Sequence, residues 1–271
     1  KDQGNYEVTY KNGKLTITKA EKFELHAALS AESRKKTYDG NKLEGAATAT
    51  VTEGTTISYS VDGGEWTTKV PSIKNVKKVT VKAKAENPNY ETPDEIEYTL
   101  EITKRPVTVT GRTYTKVYGT ADPELEADVE NLVKGEKIDY AVTRAPGNDV
   151  GDYAVIPSGE KDQGNYEVTY KNGKLTITSQ SIDPGTDPEK PNPDYTGAKV
   201  NSPSDKVYDG KEHKWSPTVT DKADKKLKAG TDYTVEYSTS DFTNVGTIEV
   251  TITGIGNYSG TVKRSYKVTP K

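Results

Sequence analysis

The chain has 271 residues, 31% of them hydrophobic and 29% charged, with a net charge of −3 and a mean hydropathy of −0.85. It has no Cys, which excludes disulfides, thiol nucleophiles and thiolate-held metals. No run approaches the ~18 apolar residues of a membrane helix, and a pI near 5.7 with interspersed charges leaves no basic footprint for nucleic acid.

The first element explains itself locally. In KDQGNYEVTYKNGKLTIT, residues 1–18, apolar and polar side chains alternate on both sides of Asn12-Gly13. Asn-Gly between alternating runs predicts a type I′ hairpin pairing Tyr10 with Leu15 and Val8 with Ile17. The same letters return at 161–178, where a second hairpin is predicted. A verbatim copy is foreign to a catalytic site and natural in an array of modules, so 1–18 reads as the C-terminal hairpin of a preceding repeat. Such a hairpin is marginal alone and must pack on something.

Next comes Glu21–Lys35, where Phe23, Leu25, Ala28 and Leu29 allow a helix. It aligns with Val107-Thr108-Val109 of the following module, which favours a strand. From there three anchors recur in one order. A Lys-x-Tyr element opens each module at Tyr38, Tyr118 and Tyr208. A turn precedes a central strand at Asn75-Val76, Asp149-Val150 and Asn244-Val245. An Asn-Tyr closes at Tyr90, Tyr166 and Tyr258, giving Tyr-to-Tyr separations of 52, 48 and 50. The three recurrent opening tyrosines read as module core. The period is too long for a solenoid repeat, so each module is an independent small domain.

The boundaries follow. Residues 1–18 are the repeat remnant, 19–104 a first β module, 105–178 a second, 179–199 a linker, and 200–271 a third. Pro184, Pro188, Pro191 and Pro193 give the linker an extended, semi-rigid character. The predicted fold class is all-β. Short strands between Gly, Asn, Asp and Pro turns form tandem antiparallel β-sandwiches of immunoglobulin-like type, or β-grasp-like modules, arranged as an elongated rod.

These residues carry a resemblance. KVYGTADPELEADV, GDYAVIPSG and GNYEVTYKNGKLTI resemble the MBG domain of YGX type found in tandem on bacterial surface adhesins. KVYDGKEHKWSPTVTD and the stretch through GNYSGTVKRSYKV are similar to YDG-type repeats of Gram-positive bacteria. Residues 36–102 resemble the same group more loosely, with Pro88-Asn89-Tyr90 in place of Gly-Asn-Tyr. The resemblance implies an extracellular, cell wall-attached repeat protein. Some relatives bind mucins or immunoglobulins, and many copies serve only as spacers.

Chemistry is thinly supplied. His26 and His213 have no Gly-x-Ser-x-Gly elbow and no metal-ligand spacing around them. Carboxylates alternate with Lys along strands, as on solvated faces, and no EF-hand loop is present for calcium. Lysines are too frequent for the sequence to select a Lys–Asn isopeptide trio. No catalytic residue, cofactor site or metal site is therefore expected. The candidates for partner binding are Trp66, at a Gly-rich hairpin tip, and Trp215, after the Tyr208-Asp209-Gly210 turn. The competing role for both is packing over an open sandwich end. The expected function is a non-enzymatic, monomeric stalk segment without membrane insertion. The alternative is a module that itself binds host mucin, immunoglobulin or glycan.

Overall fold

The computed structural model describes residues 9–19, 29–183 and 198–271. Among them every regular element is a strand. Contacts divide the chain into two compact units: Lys1–Val107 with Asn131–Ile138 and Lys161–Val168, and Thr108–Glu130 with Asp139–Glu160 and Thr169–Lys271.

In the first unit, Thr56–Val61, Lys77–Glu86 and Ile96–Thr103 form antiparallel neighbours, and Arg34–Thr37 lies parallel to Ile96–Thr103 at the sheet edge. The sequence explains which face is buried. In KKVTVKAKAE, Val79, Val81, Ala83 and Ala85 point inward and are at most 2% exposed, while Lys82 and Glu86 face water. They meet Tyr59, Tyr98 and Leu100 in one core. Burying a side chain such as Leu100 contributes about 1.5–3 kcal/mol. Tyr98 is too long for a dry pocket, so its hydroxyl donates to the Gly45 carbonyl at 2.5 Å, and burial pushes its pKa up to about 12. At the tip of the Thr56–Val61 strand, Asp62 and Gly63 adopt φ of 50° and 75°, and Gly64 N–H closes on Val61 O at 3.0 Å. That is the type I′ geometry an Asp-Gly pair favours.

The second unit holds two sheets of the same order. In one, Thr113–Val117 lies parallel to Gly173–Thr178, which pairs antiparallel with Gly151–Ser158 and so leads to Ala141–Arg144. In the other, Lys206–Val207 lies parallel to Thr261–Thr269, then come Gly246–Gly254 and Tyr233–Tyr237. Their cores are separate: Val155, Leu175 and Ile177 in one, and a larger set around Ile248, Val250, Ile252 and Tyr266 in the other. The parallel edge departs from the expected all-antiparallel sheets. Alternation cannot reveal it, because a parallel pair needs only a long crossover, and the rest of each segment provides that.

Two local expectations are corrected. The second copy of the 18-residue repeat does not close as a hairpin. Gly173–Thr178 takes Gly151–Ser158 and Thr113–Val117 as its neighbours, and neither Asn172 nor Gly173 has the positive φ a type I′ turn requires. Gly173 is needed for another reason, since a Cβ there would overlap the Gly111 and Arg112 carbonyl oxygens. In the first copy, residues 9–19 carry no strand, and Tyr10, Leu15 and Ile17 are each more than 85% exposed; Val8 lies outside the described residues. The helix-or-strand segment ends in the Arg34–Thr37 strand, its first half lying outside the described residues. The four linker prolines are also outside them. Before these, Gln180–Ser181 pairs in parallel with Tyr258–Ser259, and Ile182 is fully buried in the Ile248 core.

Candidate functional site

The three sequence anchors converge, though not inside one core. In each of the three sheets the parallel edge puts the opening tyrosine beside the end of the closing strand. The backbone N–H of Tyr38 donates to Thr103 O at 2.9 Å, that of Tyr118 to Thr178 O at 2.8 Å, and that of Tyr208 to Thr269 O at 2.9 Å. The matching threonine hydroxyls return to Lys36 O, Lys116 O and Lys206 O at 3.2–3.4 Å. Gly40, Gly119 and Gly210 follow with φ of 81°, 81° and 77°, a backbone that side-chain-bearing residues resist. The result is one frame built three times.

Within the first unit the frame holds a Gly-Asn-Tyr turn. The Tyr38 and Tyr166 rings meet edge to face with centroids 5.6 Å apart. Asn165 Oδ1 accepts the Val76 N–H at 2.8 Å, and its Nδ2 donates to Asn75 Oδ1 at 3.2 Å. Arg105 N–H donates to the Asn165 carbonyl at 2.9 Å. Both tyrosine hydroxyls donate to Glu136, Tyr38 to Oε1 at 2.7 Å and Tyr166 to Oε2 at 2.5 Å. The Tyr166 hydroxyl first, then that of Tyr38, hold the Glu136 carboxyl below its usual range. Burial, helped by Glu136, pushes Tyr166 up to about 12.

Within the second unit the arrangement repeats. Tyr118 and Tyr258 meet edge to face at 5.5 Å. Asn257 Oδ1 accepts the Val150 N–H at 2.7 Å, Asn257 Nδ2 donates to Asp149 Oδ1 at 2.8 Å, and Gln180 N–H donates to the Asn257 carbonyl at 3.0 Å. Here the hydroxyl of the inserted tyrosine, Tyr258, donates to the buried Asp221 at 3.1 Å. Burial and then Asp221 raise its pKa. The recurrent opening tyrosines are thus not one class of core residue. Tyr38, with the Tyr166 ring against it, is 3% exposed, Tyr118 is half-buried, and Tyr208 is 39% exposed.

Beside Tyr118 lies an open cleft of about 530 Å³ lined by Lys116, Asp122, Arg144, Asn148, Asp221 and Lys225. Its Lys116, Asp122 and Arg144 charges engage one another. Asp122 accepts from Arg144 at 2.6 Å and Lys116 at 2.7 Å, which in that order hold it below the usual carboxylate range. Arg144 also donates to Gly147 O and Asn148 Oδ1. The cleft ties its own loops together and presents no convergent acid–base pair.

The two tryptophans differ. Trp66 is 38% exposed beyond the Asp62-Gly63 turn, with Lys84 Nζ 5.0 Å from its ring centroid. Tyr59 bridges Thr67, and Gly64 bonds Val61, so Glu65 and Trp66 together oppose Ser60 alone. That extra residue is a bulge, which re-aims a side chain. Trp215 is half-buried against the Ile248 core, its backbone N–H donating to the Tyr266 hydroxyl and its backbone carbonyl accepting from the Tyr237 hydroxyl. Trp66 belongs to the first unit and Trp215 to the second. His213 Nε2 stands 2.9 Å from Asp209 Oδ1, and His26 lies outside the described residues. Among the described residues no group of three or more His, Asp or Glu side chains is placed to hold a metal ion, and no helix is long and apolar enough to cross a membrane.

Residues 107–176 match the family model of the MBG domain (YGX type), which bears out the resemblance seen in that stretch. No curated protein matches the chain. Among solved structures the chain is similar to Drosophila N-cadherin EC1-3, at 12% identity and a TM-score of 0.29, covering 89% of this chain and 100% of that one. It is also similar to Drosophila OTK extracellular domains 3-5, at 8% identity and a TM-score of 0.24, covering 94% and 100%. A third similar chain is Bacteroides ovatus SGBP-B of the mixed-linkage glucan utilization locus in complex with mixed-linkage heptasaccharide, at 12% identity and a TM-score of 0.23, covering 89% and 67%.

Proposed function

We propose that this chain is a non-enzymatic, extracellular segment of a wall-attached bacterial surface adhesin, in which successive β modules (19–104, 105–178 and 200–271) act as a stalk or spacer. The observation that carries the reading is the seat made twice, by Tyr38 with Asn165-Tyr166 and by Tyr118 with Asn257-Tyr258. A recurring, hydrogen-bonded seat is what a serial array needs if each module is to meet the next in one way. The MBG match over 107–176 supports the same reading.

A second reading, direct binding of a host mucin, immunoglobulin or glycan, is favoured by Trp66 alone. It is an exposed indole presented by a bulge, suited to stacking on a sugar or anchoring a protein partner. The test is to immobilise the folded chain and pass mucins, immunoglobulins and a glycan panel over it at about 0.15 M salt, where only short-range contacts survive screening. The stalk reading expects no saturable binding. Saturable binding weakened by Trp66→Ala would replace it with the recognition reading.

A further inference from the structure

The third frame is built like the other two, and among the described residues no Gly-Asn-Tyr turn is seated in it. Tyr208 N–H is bonded to Thr269 O, Thr269 Oγ1 to Lys206 O, and Gly210 has φ of 77°. The frame is therefore complete before any ligand arrives. What is missing is what fills it elsewhere. The Tyr208 ring and Val245 are 39% and 54% exposed. The N–H groups of Val76 and Val150 have an asparagine Oδ1 at 2.8 and 2.7 Å, whereas that of Val245 has no acceptor among the described residues. Asn244, in the place of Asn75 and Asp149, donates through Nδ2 to Asp241 at 2.8 Å, leaving Oδ1 free to accept. Lys271 stands two residues after Thr269, as Arg105 does after Thr103 and Gln180 after Thr178.

From this we infer that Tyr208, Asn244 and Val245 form an acceptor face for the Gly-Asn-Tyr turn of a further β module carried in series on the same polypeptide. The occupant is specified by the chemistry of the filled seats. An asparagine amide must accept from the Val245 N–H and donate to Asn244 Oδ1, and a tyrosine ring must meet Tyr208 edge to face. The pairing is heterologous, with one surface presented and a different one received, so it repeats along a chain rather than closing on itself. The inference extends the serial reading above, and its failure is separable from a failure of that reading.

Amide hydrogen exchange on the chain as it stands provides the first arm. Val76 and Val150 are expected to exchange at least about tenfold more slowly than Val245, the difference a formed hydrogen bond in a packed seat makes. Equal protection at all three would overturn the inference, because the third seat would not be free. In the second arm residues 106–178 are appended after Lys271, so that Lys271 takes the place of Arg105. Val245 is then expected to slow to the rate of Val76, and Asn165→Ala in the appended copy alone is expected to abolish the slowing. An appended segment that folds and leaves Val245 unmoved would remove the third seat while the two filled ones stand. Protection of Val245 that grows with protein concentration in the unextended chain would also overturn the inference, in favour of a second copy docking in trans. The first arm does not depend on the appended segment folding.

Discussion

Asn165 Oδ1 accepts the Val76 N–H at 2.8 Å across 89 residues of sequence, and Asn257 Oδ1 repeats the bond to Val150 at 2.7 Å across 107. Each asparagine replaces the water that a turn N–H would otherwise hold. Its second amide group reaches the preceding residue, Asn75 or Asp149. One side chain thus fixes both the position and the orientation of the turn that carries it, which a ring contact alone cannot do.

Substitutions at Tyr38 separate the ring from the hydroxyl. Tyr38→Phe keeps the edge-to-face contact with Tyr166 and loses only the bond to the Glu136 carboxylate, a smaller cost than loss of the ring. Tyr38→Ala removes a ring that is 3% exposed, and large-to-small changes of aromatics in cores cost about 3–5 kcal/mol. Urea unfolding midpoints are expected to fall in that order, and equal effects would place the stabilisation elsewhere.

The repeated 18 residues offer a paired experiment. Gly13 has nothing within 4 Å of an added Cβ, so Gly13→Ala is expected to stay within about 0.5 kcal/mol of the parent. Gly173 occupies the same position in the second copy, but there the Cβ would meet backbone oxygens of Gly111 and Arg112. Backbone cannot yield as a flexible side chain can, and Gly173→Ala is expected to cost about 1–3 kcal/mol. Thermal unfolding of the two variants reads the difference.

The Tyr38–Glu136–Tyr166 cluster gives stability a dependence on pH in two windows. Glu136 is held below its usual range by the Tyr166 and Tyr38 hydroxyls. Its contribution is present above the ordinary glutamate value of about 4.3 and is lost as pH falls through the lowered pKa. Tyr166 is pushed up to about 12. Its contribution is complete below the ordinary tyrosine value of about 10 and is lost as pH rises from there towards the raised one. Glu136→Gln is expected to flatten the acid side and Tyr166→Phe the alkaline side, each read from denaturant midpoints across pH.

Much of the fold could be read from alternation and turn chemistry, and the misreadings have physical causes. Asp62-Gly63 formed the type I′ turn its letters favour, while Asn172-Gly173 did not. The difference lies in the long-range approach of Gly111, which no local rule contains. The anchors at Tyr38, Asn75 and Asn165 were visible as a recurring pattern, yet recurrence could not say whether they serve a core or a contact. Their spacing reports order along the chain, and only the parallel edge strand decides which end of the sheet the tyrosine occupies. Glu136 was missed because nothing in NLVKGEK distinguishes one acceptor from many. Its role comes from two tyrosine hydroxyls that are 98 and 30 residues away. Trp66 was legible as a hairpin-tip residue through its Asp-Gly-Gly context, whereas the packing of Trp215 depends on Tyr237 and Tyr266 far along the chain.

The most direct measurement is residue-resolved amide exchange at Val76 and Val150 in the parent chain, in Asn165→Ala and in Asn257→Ala. Two equivalent, independent seats require that each substitution speed exchange at its own valine and leave the other protected. If both valines exchange freely in the parent, or neither responds to loss of its asparagine, the seats do not hold the chain as described.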